Sequence, residues 1–590
     1  MFLRCSQRRK DGKRHRYWSL VENRRVSGGR VAQRHVLYLG EINDSQQAAW
    51  RKTIEVFADE APHAQTLALF PEDGAAPVDD ATVVRLRLGA LRVERPRQWG
   101  ACWLACQLYA QLDLERFWAA RLPPSRKGTR WDLILQALVA YRLIDPGSEW
   151  RLHREWFVNS AMADLLGAGF ELAEIHKLYR CLDRLLPHKR ALFDHLTQRW
   201  KDLFNASYEV LLYDLTSTYF ESDPPTDPHD KRKHGYSRDK RSDCVQVLVA
   251  LVITPEGFPL AYEVLSGNVT DNRTLRLFLR KIERQYGKAK RIWLMDRGIP
   301  TEVVLKQMRA SDPPVQYLVG TPKGRLSALE AALIDKPWQQ VRDGVRVKLL
   351  PQEGELYVLA HSQARNAKER AMRRRQLKRL WQRLRRLAGM RLNRDRLWQK
   401  LGAAEKQWPA GWRLVHVEVT AEGRLAFALN REKLRQVRRR EGRYLLRTNL
   451  TEQDPAKLWE LYMRLVQVEE AFRNLKGDLA LRPIYHQRED RIEAHIFVAF
   501  LAYALHVTLR RRLRDLAPGL TSRAVLEKFR AIPMVDVHLP TPDGREIILP
   551  RYTQPDPEVA LLVQQLKLQL PPQPPPRLNT QQQIIAHTAM

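Results

Sequence analysis

Along this chain the spacing of apolar and polar positions changes period several times, and each change marks an element boundary. Residues 17–21 (YWSLV) and 35–39 (HVLYL) alternate as strands do, and Val26-Ser27-Gly28-Gly29-Arg30 between them reads as a turn. From 98 to 204 apolar residues recur at three- and four-residue steps, as in WGACWLACQLYAQLDLERFWAARL and WDLILQALVAYRLI, which predicts helices. From 208 to 325 the pattern becomes that of strands. YEVLLYDLTSTYF is one, and VQVLVALVITPEG and FPLAYEVLSGN form a hairpin around Pro255, Glu256 and Gly257. DNRTLRLFLRKIERQYG is helical, and RIWLMD and VQYLVGTP are further strands. RIWLMD is continuously apolar up to its last residue, as expected for a strand covered on both faces. With a helix between the last two strands, the order β-β-β-α-β-α-β predicts a mixed α/β sheet.

Residues 363 to about 400 predict one long basic helix. Leu377, Leu380, Leu384 and Leu387 recur on it at heptad spacing under an arginine-rich face. Such a helix can lie along DNA or pair with a second helix. Strands resume at WRLVHVEVTAEGRLAFALN and GRYLLRTN, and helices follow over about 455–478 and 489–514. The apolar run 496–509 is interrupted by His506 and is too short for a membrane span, so it reads as a buried helix.

These shifts divide the chain. Residues 1–45 form a small basic β unit, a candidate DNA contact. Residues 46–97 hold a short helix and a polar linker (PEDGAAPVDD). Residues 98–207 are helical, either a DNA-binding bundle or a scaffold. Residues 208–330 are the first part of the α/β core, 331–450 an insertion with strands and the basic helix, and 451–515 the final core helices. Residues 516–570 are a C-terminal extension, and 571–590 a Pro- and Gln-rich tail expected to be disordered.

Charge narrows the partners. The 590 residues carry 100 Lys and Arg against 67 Asp and Glu, a formal net charge of +33. A field of that size attracts polyanions, nucleic acid first. The five cysteines include no C-x-x-C pair, which argues against a zinc site and suits a reducing cytosol. The basic N-terminus lacks the apolar stretch of a signal peptide. A cytoplasmic protein working at DNA, without a membrane, is expected.

Three acids stand where chemistry could use them. Phosphodiester hydrolysis and transfer use two divalent cations, and Mg²⁺ needs only a few converging carboxylates because it keeps several waters. Asp214 interrupts the apolar strand LLYDLTSTYF, where Asp is disfavoured, on the face of Leu212 and Thr216. Asp296 directly follows Ile292-Trp293-Leu294-Met295, at the carboxyl end of a strand, where α/β sheets place their sites. At 100° per residue, Leu461, Leu465, Val468, Phe472, Leu475 and Leu479 form one stripe. Glu469, Tyr462, Arg473 and Lys476 fall on its edge, and Glu470 points away to solvent.

These segments resemble the DDE transposases of bacterial insertion sequences. DLTSTYFE is similar to the first-Asp strand of that family and LMDRG to the second. YMRLVQVEEAFRNLK resembles its Tyr-x2-Arg-x3-Glu-x6-Lys signature, with Tyr462, Glu469 and Lys476 in place. The Arg departs: Leu465 occupies its position and Arg464 comes one residue early, so Arg473 is the better candidate for that work. The resemblance continues through LALRPIYHQREDRIEAHIFVAFLAYAL and reaches back to YWSLVEN and HVLYLGE, covering most of the chain. About 170 residues separate Asp296 from Glu469, in keeping with the family's habit of inserting a β-rich domain there.

The resemblance implies a ribonuclease H-like core with a β-rich plus basic-helix insertion, and two divalent ions, Mg²⁺ with Mn²⁺ as substitute, on Asp214, Asp296 and Glu469. Tyr462, Arg473, Lys476, Arg297 and Arg464 are the expected DNA contacts. It also implies cleavage at the element's terminal inverted repeats, attack of the freed 3′-hydroxyl on target DNA, and a homodimer assembled on double-stranded DNA at the nucleoid. A ribonuclease H-like nuclease that never joins strands, or a silent DNA-binding remnant, are the alternatives.

Overall fold

The computed structural model describes the chain except residues 1, 11–12, 26–30, 41–85, 238, 240, 270, 287–290, 297–298, 322–328, 330–331, 334–335, 421–422, 453, 543 and 580–590. The expected turn at 26–30, the short helix of the 46–97 segment, Arg297 and the last residues of the tail lie outside the described residues.

Two compact units emerge. The first comprises Met1–Val93, Val537–Leu549 and Pro575–Met590. It contains an antiparallel sheet of β1 (Phe2–Lys10), β2 (Lys13–Arg25) and β3 (Val31–Gly40), in that order. The alternation at 17–21 marks the middle of β2 and that at 35–39 the C-terminal half of β3; both strands extend into polar and basic residues that pair without showing the period. In the same unit Arg577–Asn579 pair with Glu546–Ile548, where the sequence suggested a disordered tail.

The second unit comprises Glu94–Asp536 and Pro550–Pro574. After β4 (Arg92–Gln98), which straddles the division, come α1 (Gly100–Gln111), α2 (Trp131–Ile144), α3 (Ile175–Leu182) and α4 (Lys189–Phe204). Helix α2 is apolar on nearly every side and is buried almost throughout, as such a helix must be.

The sheet follows: β5 (Val210–Phe220), β6 (Val245–Ile253) and β7 (Pro259–Ser266), then α5 (Asp271–Tyr286), β8 (Ile292–Met295), α6 (Glu302–Ala310) and β9 (Gln316–Thr321). The inserted segment adds β10 (Gln339–Arg342), β11 (Val345–Gln352) and β12 (Glu355–Ser362). Helices α7 (Gln363–Ala388) and α8 (Arg394–Gln407), the hairpin β13 (Val415–Val419) and β14 (Leu425–Leu429), and β15 (Arg443–Thr448) complete it. Of the strands from β5 to β15, all but that hairpin form one nine-stranded sheet, ordered β10-β11-β12-β15-β9-β8-β5-β6-β7. The inserted strands therefore extend the core sheet: β15 pairs antiparallel with both β12 and β9.

The long basic helix expected to about 400 ends at Ala388, and Asn393 caps a second helix by accepting from the Arg396 N–H at 3.0 Å. Leu380, Leu384 and Leu387 of α7 pack against Leu397, Leu401 and Ala404 of α8. The heptad stripe thus finds its partner in the same chain, leaving most of the arginine face outside.

The chain then forms α9 (Pro455–Met463), α10 (Val466–Lys476) and α11 (Glu489–Leu516). One helix was expected over 455–478; the structure breaks it at Arg464 and Leu465. Helix α11 is long and apolar enough to cross a membrane by length and composition, yet 94% of that window is buried inside the protein, and it packs against α2.

Burial has a titratable consequence on α11. Burial pushes the His506 imidazole down to about 4, with Arg510 and Arg523 adding to the effect. A ring kept neutral in the fold but free to protonate near pH 6.5 when unfolded stabilises the protein fully above that pH. The contribution fades as pH falls from about 6.5 toward 4. We expect unfolding free energy to drop by about 3 kcal/mol over that interval on account of this residue. His506→Leu should flatten the pH–melting curve; an unchanged acid limb would refute the assignment.

Candidate active site

The two faces of β5 lead to different places. Leu211, Tyr213 and Leu215 pack into a cluster with α5 and α6, through Leu275, Phe278, Ile282, Val304 and Leu305. Leu212, on the opposite face, joins the cluster that holds Val468, Phe472 and Leu475 of α10. Asp214 shares the face of Leu212 by alternation, so it lies under the helix that carries Glu469.

Register brings the second acid alongside. Strands β5 and β8 are parallel, with Leu212 opposite Leu294 and Tyr213 opposite Met295. The next position on each strand is Asp214 and Asp296, on neighbours about 4.8 Å apart. Asp214 is half-buried, and its Oδ1 accepts the Leu215 N–H at 2.7 Å. Asp296 and Glu469 are exposed.

Asp214, Asp296 and Glu469 line one cavity of about 380 Å³ together with Tyr462. Its other walls come from residues that local pattern did not reveal: Arg342 of β10, Arg365 of α7, Tyr444 of β15 and Trp459 of α9. Arg342 lies over the Trp459 ring at 4.5 Å and Arg365 over the Tyr444 ring at 5.0 Å. Tyr444 stacks on Tyr462 at 5.6 Å and accepts a hydrogen bond from the Trp459 indole. Cations thus stand beside the acids, positioned by an aromatic wall. The only hint in the sequence was the general basicity of the insertion.

The remaining expected DNA contacts are less gathered. Lys476 donates to both oxygens of Asp239 at 3.1 Å, and Arg482 reaches the same carboxylate at 2.7 Å. Arg473 and Arg464 are exposed and do not line the cavity. Glu470, expected to face solvent, is half-buried and pairs with Arg510 at 3.0 Å, because α11 packs beside α10 and supplies the cation.

A buried network fixes the loop after α10. Glu149 takes His486 Nε2 at 3.3 Å and His495 Nδ1 at 3.2 Å, and Arg142 donates to the Ala480 carbonyl at 3.0 Å. Burial alone would raise the Glu149 carboxyl, but hydrogen bonds from His486 and His495 hold it well below the usual carboxylate range.

As a donor set, the cavity offers, among the described residues, three carboxylates and no thiol or imidazole, the chemistry that suits a hard divalent cation.

Residues 205–505 match a family model described as a transposase DDE domain. Residues 3–61 match one described as the N-terminal domain of IS1634 family transposases. No curated protein matches the chain. Among solved structures it is similar to a cryo-EM structure of the piggyBac transposase synaptic complex with hairpin DNA. That match has 8% identity and a TM-score of 0.34, covering 74% of this chain and 82% of that one.

Proposed function

The chain belongs to the DDE transposase family, and from that premise we propose that it cuts and joins DNA strands in the cavity lined by Asp214, Asp296 and Glu469. The convergence of these acids from β5, β8 and α10 into that one cavity carries the reading. The order β7-β6-β5-β8-β9, with β5, β8 and β9 parallel and β6 antiparallel, supports a ribonuclease H-like core.

Two Mg²⁺ ions, or Mn²⁺ in their place, would be held by the three carboxylates and would supply a stronger nucleophile and charge neutralisation at the phosphate. The side chains do the rest. Arg342 and Arg365 hold the phosphate beside the acids, since a guanidinium fixes phosphate through paired donors. Tyr462, in the cavity wall, contacts the same strand, and Arg473 and Arg464 track the backbone farther out; Arg297, next to Asp296 in sequence, is a further contact. Lys476 orders the Asp239 loop and reaches DNA only by exchanging Asp239 for a phosphate. The substrates are the element's terminal inverted repeats and target DNA. A homodimer on paired ends, in the cytoplasm at the nucleoid, completes the proposal.

The test mixes purified protein with duplexes carrying the flanks of its gene, with and without Mg²⁺, beside Asp296→Ala. End cleavage that needs both the metal and Asp296, followed by joining of the new 3′ end, is expected. Cleavage without joining would reduce the protein to a nuclease. Cleavage that survives Asp296→Ala would refute the site.

A further inference from the structure

We infer that a second basic concavity, between the 125–131 turn and α3, grips the phosphate backbone of duplex DNA. Its volume is about 840 Å³, more than twice that of the acidic cavity. Five Lys or Arg line it against one acid. That acid, Asp183, is already held by Arg491 through two hydrogen bonds of 2.7 and 2.9 Å, so it subtracts little from the field.

The cations fall into two kinds. Lys177 is engaged within the fold, pairing with Glu174 at 3.2 Å and donating to the Glu171 carbonyl at 2.8 Å. Arg126, Lys127 and Arg180 are exposed and make no ion pair among the described residues. Like charges concentrated in one concave surface repel each other, and a polyanion relieves that repulsion while releasing counterions.

The surface is also shaped for a backbone. Ser125 Oγ accepts the Thr129 N–H at 3.0 Å, and its carbonyl accepts the Gly128 N–H at 2.8 Å, closing a tight turn. Gly128, in the turn beside the lining residues, sits at φ +77° with open space around it, so a phosphate at the rim can approach the main chain there. Arg184 lies over the Trp131 ring at 4.6 Å, which holds its guanidinium at the wall. Hydroxyls, an open backbone turn and a fixed guanidinium are groups that contact phosphate without reading bases. The occupant is therefore the duplex on which this enzyme acts, held outside the catalytic cavity; the inference rests on the transposase reading for the identity of that DNA.

Anisotropy of a labelled duplex bearing the gene's flanks, titrated in EDTA between about 50 and 200 mM salt, tests it. Arg126→Ala combined with Lys127→Ala should lower the slope of log K against log salt by roughly 2, and Arg180→Ala by roughly 1. Affinity should fall about tenfold for the double variant, with Mg²⁺-dependent cleavage at saturating DNA within about twofold of wild type. Arg180→Lys should keep the slope. An equal charge loss at the exposed Lys201 and Lys567 should leave it within about 0.5. Unchanged slopes in the groove variants, or equal losses in the Lys201/Lys567 control, would overturn the inference. So would stronger groove-dependent binding to duplex RNA. Wild-type binding without cleavage would remove the catalytic reading and leave the groove standing.

Discussion

Glu469→Ala is expected to reduce metal-dependent strand cleavage by at least ~10³-fold while binding to the same duplex in EDTA stays within about twofold. Three carboxylates line the cavity among the described residues, so removing one takes away a third of those anionic donors. A loss of ~10³ corresponds to roughly 4 kcal/mol of transition-state stabilisation, which is modest for abolishing a metal position. The neighbouring acid is the control. Glu470 faces α11 and pairs with Arg510, with its side chain 34% exposed. Glu470→Ala should cost stability of about 1 kcal/mol or less and keep cleavage within about threefold. Single-turnover cleavage of a labelled end duplex separates the two. Equal losses in both variants would show that the helix, and not the carboxylate, is what matters.

Arg447→Ala is expected to destabilise the second unit by about 3–5 kcal/mol, lowering its melting temperature by on the order of 10 °C. Arg447 sits on β15 with its side chain only 5% exposed, between Glu302 at 2.6 Å and Glu355 at 2.6 Å. Glu355 is equally buried and also takes Arg309 at 2.8 Å and the Tyr317 hydroxyl. Removing Arg447 strands a buried carboxylate on one remaining cation, at the seam where inserted strands meet the core. Glu302→Ala removes only a half-exposed partner and should cost no more than about 1 kcal/mol. Replacing Arg447 by Met and Glu355 by Gln together should recover much of the loss. If Arg447→Ala melts like wild type, the seam does not depend on this charge pair.

The acids of the proposed site stand out in the sequence because each breaks a local rule. Asp214 interrupts an apolar strand, Asp296 ends one, and Glu469 sits on the edge of a helical stripe. Such signals need only the period of the element that carries them. Arg342, Arg365, Tyr444 and Trp459 break no local rule, and they reach the cavity only because β10, α7, β15 and α9 pack there. The partner of Glu470 lies 40 residues along the chain, on α11, so a wheel drawn for α10 alone sent that side chain to solvent. The 331–450 segment stands apart in the sequence as a candidate insertion. Its union with the core sheet does not show there, since antiparallel pairing of β15 with β9 leaves no trace in the periodicity of either strand. The break at Arg464 was equally hidden, because apolar spacing continues across it, whereas at Gly389 the stripe lapses at Arg391 and Arg394, and Gly389 and Asn393 are stop and start signals that the apolar pattern alone does not weigh.

The seam at β15 also sets a clock during protein synthesis. Strand β9 is complete at Thr321, but the strand that covers its edge begins only at Arg443, more than a hundred residues later. At roughly 5 to 20 residues per second, the ribosome leaves that edge bare for on the order of 10 s. Both aspartates have been made by then, yet Glu469 has not, so the nascent chain carries an incomplete set of acids while its sheet is open. If the proposed site is the catalytic one, competence follows only after the edge that invites aggregation has been closed.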